Sequence, residues 1–392
     1  MSKLIQASFS LLQKMYDPNR ALFSYKTDWR DGKYTSDFSY RHSLRYTINV
    51  LAGLQRAQEH RHLHWDVDGH LNRFLRLHGQ RISNAGDMGL LLYVAAHGRS
   101  QHQHPIFAEV QDLVRQPKRL RRLNLQEVSW LLSGLTEYAA TSQKPEAVKV
   151  AEDLFRFIDK DFLNKDTMLP FHELSFWRKP FTPFGGIVYF LKALAEYSAA
   201  FNNKYAEVIF KEGVSKMLQF QGPTGEWPWF YNVFDSKVVD WYPVYSVHQD
   251  SMAMLFLLPA LDLRVSGASR AIEKSYRWLF GNNQLGEPMM VTSPEFFVYR
   301  CIHRRGALER PKRFGQSVLL ALARMSAGLA HNRKLEIIKH GRSYHPGWIL
   351  YAWSPRKDFT EFTDLRMSPE LKISVPTSVP TQSPVQSQYL EV

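Results

Sequence analysis

Apolar residues recur along most of this 392-residue chain at helical spacing, and two kinds of helical run alternate. One kind is apolar on nearly every side and rich in Gly, Ala and Leu. It comprises SLRYTINVLAGLQRAQ from residue 43, NAGDMGLLLYVAAHG from 84, NLQEVSWLLSGLTEYAA from 124, TPFGGIVYFLKALAEYSAAF from 182, SVHQDSMAMLFLLPALDL from 246 and SPEFFVYRCIHR from 293. Few charges interrupt these runs, as expected of helices buried on several sides. The other kind is amphipathic and charged, at residues 66–80, 104–116, 145–163, 203–221, 269–284 and 310–328. The alternation predicts an all-α fold, an (α/α)6 toroid of six helical hairpins in which six inner helices are ringed by six outer ones. A superhelical stack of hairpins would use the same pattern. Long irregular loops concentrated before the inner runs fit a closed ring with one functional mouth better.

The inner runs also begin alike. Ser, Thr or Asn precedes each, able to accept from an unpaired N–H of the first turn, and Pro183 and Pro294 stand where a missing donor costs nothing. Asn124 with Glu127, and Ser246 with Gln249, have capping-box spacing. Outside the repeats, residues 1–38 read as an N-terminal amphipathic helix and a polar aromatic lead-in without regular structure. The toroid is expected over 39–331. Residues 332–371, where β-branched and aromatic residues alternate with turn formers, predict a small irregular or β C-terminal cap. The Ser-, Pro- and Gln-rich stretch 372–392 buries too little to order itself and reads as a disordered tail.

Fifty Lys and Arg against 37 Asp and Glu give a net charge of +13, which favours acidic partners. An anionic glycan ranks first, with peripheral membrane contact through basic surface also open. Nucleic acid is disfavoured, because the basic stretches RQPKRLRRLN and RCIHRRGALERPKR carry no recognition motif and lie apart from the aromatic clusters. The longest apolar run, 252–261, is half of the roughly 20 residues that cross a bilayer. With one cysteine, Cys301, and no secretion signal, a cytoplasmic setting is expected. The histidine-rich stretches EHRHLHWDVDGH and HGRSQHQH lack zinc-ligand spacing, and Asp66-Val67-Asp68-Gly69 begins like a calcium loop without its closing Glu. No metal and no cofactor are expected, and Walker, GxGxxG and GxSxG motifs are missing.

Candidate chemistry gathers in 221–261, where a polar aromatic loop leads into the fifth inner run. Acid–base work there falls to Glu226 and Asp240 as a carboxylate pair, or to His248 with Asp250 and a tyrosine, Tyr242 or Tyr245, as second proton carrier. Trp227, Trp229, Trp241, Tyr245 and Gln249 suit a sugar, whose apolar faces stack on rings while its hydroxyls seek amides and acids. First-turn residues of other inner helices would share the mouth: Arg45 as an anion clamp, Asp87, and His172 just before the fourth run. Each acid also has a bland role as a cap or loop hydrogen bond.

Gln221-Gly222-Pro223-Thr224-Gly225-Glu226-Trp227 resembles the QxxxGxW repeat of squalene-cyclase-like and prenyltransferase-like toroids, and GNNQLGEP, with Gln284 and Gly286, resembles a decayed copy. The resemblance implies a structural role, the Gln tethering helix ends and the Trp stacking on them. The DxDD motif of class II terpenoid cyclases is missing. The expected toroid is also similar to six-hairpin glycosidases, polysaccharide lyases and the helical domain of uronyl epimerases, whose clefts combine aromatics with acids, His, Tyr and Arg. That resemblance implies a saccharide-active protein of hydrolase, lyase or epimerase type, acting in polysaccharide biosynthesis or modification. A non-catalytic glycan- or protein-binding toroid and a prenyl or terpenoid enzyme are the alternatives.

Overall fold

A computed structural model of the chain describes residues 3–176, 178–293, 295–306, 309–329 and 334–359. The expected tail, 372–392, lies outside the described residues, as does Trp177. In chain order the helices are α1 (Lys3–Lys14), α2 (Tyr40–Arg61), α3 (Val67–His78), α4 (Ala85–His97), α5 (Gln103–Val114), the single-turn α6 (Pro117–Leu120), α7 (Leu125–Ser142), α8 (Pro145–Phe157), α9 (Phe184–Phe201), α10 (Lys204–Phe220), α11 (Met254–Asp262), α12 (Ala268–Leu279), α13 (Glu309–Leu322) and α14 (Tyr344–Trp353). The inner ring runs α2, α4, α7, α9, α11, α14 and closes back on α2. Each of the first five inner helices packs on an outer partner: α3, α5, α8, α10 and α12 in turn. The sixth, α14, packs on α1, so the two ends of the described chain complete one hairpin. The architecture is the (α/α)6 toroid, with only two- and three-stranded sheets among the described residues.

Helix starts follow the caps where side chains reach. Asn84 accepts from Asp87 N at 3.1 Å. Asn124 and Glu127 close a full capping box, Glu127 Oε2 accepting from Asn124 N at 2.8 Å. The Ser246–Gln249 box does not form. The chain there makes a wider π-helical turn, His248–Met252, before α11, and this turns Gln249 Nε2 back onto the Tyr245 carbonyl at 3.2 Å.

The sixth hairpin departs from the sequence reading. The run from 293 is not an inner helix: it forms strands Phe297–Val298 and Cys301–Arg304, the latter paired between Leu335–Ile338 and Val244–Tyr245. Its β-branched and aromatic residues suit a pleated ladder once strands are offered on both sides. The inner position is taken by α14, buried at every residue from His345 to Trp353, within the stretch expected as cap. Among the described residues of that stretch, the strand is Leu335–Ile338. The run at 310–328 does supply α13, but it packs on strand Lys237–Asp240 rather than on an inner helix, and α1 is the outer helix instead. The toroid therefore reaches beyond 39–331 at both ends. The expected lead-in also contains a hairpin, Lys26–Arg30 with Lys33–Asp37, turned at Asp31-Gly32 with φ of 51° and 73°. An Asp-Gly pair at positive φ is the two-residue turn that matches strand twist.

Glycines set the spacing of the ring. A Cβ on Gly53 of α2 would overlap the carbonyl of Gly347 on α14, and one on Gly134 of α7 would overlap the carbonyl of Gly89 on α4. In an open helix Gly→Ala gains about 1 kcal/mol of propensity. Here the obstacle is backbone on both sides, so the clash outweighs that gain. Gly53→Ala is expected to lose about 2 to 3 kcal/mol, read as a lower urea midpoint at unchanged slope.

Candidate functional site

Side-chain contacts between neighbours fix where the inner helices open. Arg45 Nε of α2 donates to Asp87 Oδ1 of α4 at 2.6 Å. Asn84 Nδ2 donates to Glu127 Oε1 of α7 at 2.5 Å. The loop carbonyl of His172 accepts from Leu125 N at 2.8 Å. Tyr46 of α2 meets Tyr344 of α14 at a ring separation of 4.5 Å. These contacts lie at helix N-termini, so one face of the ring collects them into a mouth.

One wall of the mouth is aromatic and cationic. Tyr25, on the loop before the Lys26–Arg30 strand, stacks on His42 at 4.6 Å and on Tyr46 at 5.7 Å. Arg342 lies 3.7 Å above the Tyr25 ring and donates from Nη1 to its carbonyl at 2.9 Å. Arg300 lies 5.3 Å from the Tyr245 ring, and Tyr245 is 5.0 Å from His248. Trp229 stacks parallel to His248 at 6.0 Å. Burial, then the guanidinium groups of Arg342, Arg45, Arg41 and Arg300, hold the His42 imidazole below its ordinary pKa. Four cations acting on one ring show how strongly this face favours an anion. Arg300 Nη1 and Arg342 Nε are buried N–H groups with no hydrogen-bond partner among the described residues.

Two imidazoles stand behind that wall. His248 is buried, its Nδ1 has no hydrogen-bond partner among the described residues, and burial followed by the fields of His345 and Arg300 lowers its pKa to about 3. It is neutral at pH 7. His345 donates from Nε2 to both oxygens of Asp250, at 2.7 and 2.8 Å, which fixes its tautomer and leaves Nδ1 as its second nitrogen. Asp250 is wholly buried, and its carbonyl also accepts from Trp353 Nε1 at 2.8 Å and Tyr276 OH at 3.1 Å. Across the mouth, burial raises the Asp87 carboxyl and Glu127 adds to this, against the pull of Arg45.

Arg45, Asp87, Trp229, Tyr245, His248 and, behind them, Asp250 are thus at the mouth. The other half of the 221–261 loop is scaffold. Gln221 Nε2 donates to Ala271 O at 2.9 Å and Ser275 Oγ at 3.1 Å, and Trp227 Nε1 donates to the same Ser275 Oγ at 2.9 Å. Trp227 is fully buried between Phe184 and Phe256, the kind of position that the QxxxGxW resemblance implies for its Trp. Glu226 Oε2 accepts from Thr224 N and Oγ1 within its own turn, at 3.0 and 2.6 Å. Asp240 accepts from Tyr242 N at 3.2 Å and pairs with Arg304 at 3.3 Å, under a Tyr242 ring that is fully buried. The fields of both carboxylates meet at Tyr242, whose hydroxyl pKa is raised by burial first, then by Glu226 and by Asp240, against Arg304. Trp241 donates to Ala327 O at 2.8 Å. Gln249 and His172 are placed by their backbone contacts, and burial lowers the His172 pKa.

The sequence reading missed His345, Tyr344, Arg342 and Arg300. Ser343 before Tyr344-His345-Pro346 and an apolar run carries the same start signal used elsewhere, so the first three were findable. Arg300 had no local signal.

No protein-family model matches this sequence, and no curated protein matches it. Solved structures do match in fold. A sugar epimerase from a ruminal bacterium superimposes with a TM-score of 0.61 at 8% identity, over 90% of this chain and 97% of that one. The unsaturated glucuronyl hydrolase of Bacillus sp. GL1 gives 0.55 at 13% identity, over 89% and 95%. A possible member of the GH105 family from Salmonella enterica gives 0.55 at 12% identity, over 90% and 92%. The likeness is one of fold. Among the described residues, no group of three His, Cys, Asp or Glu is placed to hold a metal ion, and no helix is long and apolar enough to cross a membrane.

Two outcomes are expected. Trp227→Ala should cost about 3 to 5 kcal/mol in urea unfolding, as for other buried Trp truncations. For His248, the unfolded ring takes a proton near 6.5 while the folded ring takes one only near 3, so stability falls as pH drops across that window. His248→Asn should show a shallower loss of stability between pH 7 and pH 4 than the parent, measured by unfolding at both values.

Proposed function

We propose that the mouth binds an anionic sugar and moves a proton on it, as an epimerase or lyase does. The observation that carries this reading is the pair of buried imidazoles on adjacent inner helices, His248 with a free Nδ1 and His345 held by Asp250. A neutral imidazole takes a proton from carbon only if the resulting charge is stabilised. Arg300 Nη1 and Arg342 Nε are unspent donors for a substrate carboxylate or enolate. In this reading His248 removes the proton beside the carbonyl or carboxylate, and the guanidinium groups carry the enolate. With His345 starting as the imidazolium ion paired to the Asp250 carboxylate, return of its Nδ1 proton to the opposite face inverts the centre. Loss of a leaving group from the neighbouring carbon would make the step an elimination. Trp229 and Tyr245 supply platforms for the sugar faces. Comparison proteins of this fold include a sugar epimerase and a glucuronyl hydrolase, which supports a saccharide substrate. A terpenoid cavity would be apolar, whereas this mouth gathers Arg and His. The single, buried Cys301 suits a cytoplasmic setting.

The raised Asp87 carboxyl beside Arg45 and Glu127 favours a second reading, in which Asp87 is the general acid of a glycoside hydrolase. Deuterium oxide separates the two. Under the first reading, uronic-acid oligosaccharides or reducing sugars incubated with the protein gain deuterium at a carbon position, seen by NMR. His248→Gln should slow that exchange by about 100-fold or more. New reducing ends without carbon-bound deuterium, abolished by Asp87→Asn and retained in His248→Gln, would favour hydrolysis. Neither reaction, with saturable sugar binding, would make the protein a binder.

A further inference from the structure

α13 lies outside the ring, against strand Lys237–Asp240. Its inward side is marked by buried Ser317, whose Oγ donates to the Val239 carbonyl at 3.4 Å. Leu319 and Leu322 are turned from Ser317 by about 200° and 140° around the helix, so they share the outward side. They are 68% and 78% exposed. Met325, 58% exposed, follows as the helix ends, its N–H donating back to the Leu320 carbonyl at 2.8 Å. Arg324 Nε reaches to 3.8 Å from Asp235 Oδ1, which sets the adjacent Phe234, 52% exposed, beside this stripe. A lone exposed leucine needs no account, but four large apolar side chains grouped on one surface do.

Cations surround the group. Lys237 Nζ donates to the Arg324 carbonyl, and Lys179 lies 4.5 Å over the ring of Phe171, which meets Phe234 at 5.6 Å. The nearby carboxylates are already engaged: Asp235 by Arg324 and by Asn232 Nδ2 at 2.9 Å, and Glu173 by Arg178 at 2.7 Å. A second copy of the chain would set these same cations, and a net charge of +13, against their like. A nucleic acid would answer the cations and leave the leucines in water. An anionic lipid surface answers both, its headgroups meeting Lys and Arg while its acyl boundary takes the apolar side chains.

The patch also stands on the face that carries the mouth. Strand Phe181–Pro183 runs directly into the start of α9, and Lys237–Asp240 leads through Val244–Tyr245 to His248, so their sheet lies at the N-terminal ends of inner helices. We propose that this patch docks the protein on an anionic membrane surface. Phe234, Leu319, Leu322 and Met325 enter the headgroup–acyl boundary, and Lys179, Lys237 and Arg324 lie among the headgroup phosphates. Docked so, the mouth opens beside the lipid surface. The docking holds whichever reaction the mouth carries out.

The test is flotation of the full chain with vesicles of equal parts phosphatidylglycerol and phosphatidylcholine, and with phosphatidylcholine alone. The expected result is binding to the mixed vesicles, weaker by at least about tenfold on phosphatidylcholine alone and on raising salt from about 0.1 to 0.5 M. Leu319→Gln with Leu322→Gln should weaken binding to mixed vesicles at least about tenfold, with the urea midpoint unchanged because both side chains are already in water. Lys179→Gln with Lys237→Gln should weaken it too, whereas Leu77→Gln, at an exposed leucine on α3, should not. Failure of the parent to float overturns the proposal, as does equal binding to both kinds of vesicle. Binding indifferent to the paired leucine change reports attraction by net charge alone and overturns it as well. A dimer in sedimentation equilibrium that the leucine changes dissolve, without vesicle binding, assigns the patch to a second copy and overturns it.

Discussion

The whole ring depends on the close approach of its first and last inner helices. α2 and α14 meet at Gly53 and Gly347 with no room for a side chain on the facing side, and α1 covers α14 from outside. Dispersion contacts fall off steeply with separation, so a ring held at this distance gains packing that a looser one forfeits. Closure also creates the mouth. Tyr46 and Arg45 come from the first inner helix, and Tyr344 and His345 from the last. Only the α2–α14 contact sets them side by side.

The axis of the ring is polar on both sides of that contact, and below the mouth a buried cation and carboxylate are paired. Below the mouth, Lys192 Nζ donates to Glu196 at 2.6 Å, and Ser133 and Tyr351 donate to the same carboxylate at 2.7 Å each. Burial alone would raise the Glu196 pKa, but the Lys192 ammonium and these donors hold it below its ordinary value. Arg56 stacks on Tyr351 at 4.4 Å and donates to the Tyr93 and Tyr351 hydroxyls. Four inner helices, α2, α4, α7 and α9, join α14 in this network. Breaking one member would strand a buried charge, which costs more than the pair contributes. At the mouth, Arg300, Arg342 and His248 likewise hold buried polar atoms with no hydrogen-bond partner among the described residues.

The loop from 221 to 250 shows how one stretch divides between the two tasks. Gln221 and Trp227 clamp α12 through Ser275, and Gly225 passes so close to the Lys274 carbonyl that only a glycine fits. With that end fixed, Trp229, Tyr245 and His248 are delivered to the mouth in a set order. Residues of one composition thus became buried props or mouth residues according to which side of the clamp they fell.

The sequence by itself determined the helix periodicity, the first five inner helices, the caps at Asn84 and Asn124, and a polar aromatic entry to the fifth inner helix carrying His248. These are local properties: apolar spacing, side chains that reach their own backbone, and residue types that a sugar-binding surface needs. It also held signals that longer-range patterns obscured, the Asp31-Gly32 turn and the Ser343 start of α14. Tertiary structure alone decided the rest. Cys301–Arg304 became strand because Leu335–Ile338 and Val244–Tyr245 flank it, and a ladder partner about 30 or more residues away leaves no trace in local spacing. Asp250 became the support of His345, 95 residues on, because the ring closes. Glu226 came to face Thr224 and Asp240 to face Arg304: charge and spacing name candidate carboxylates, but only packing chooses the neighbour each one faces.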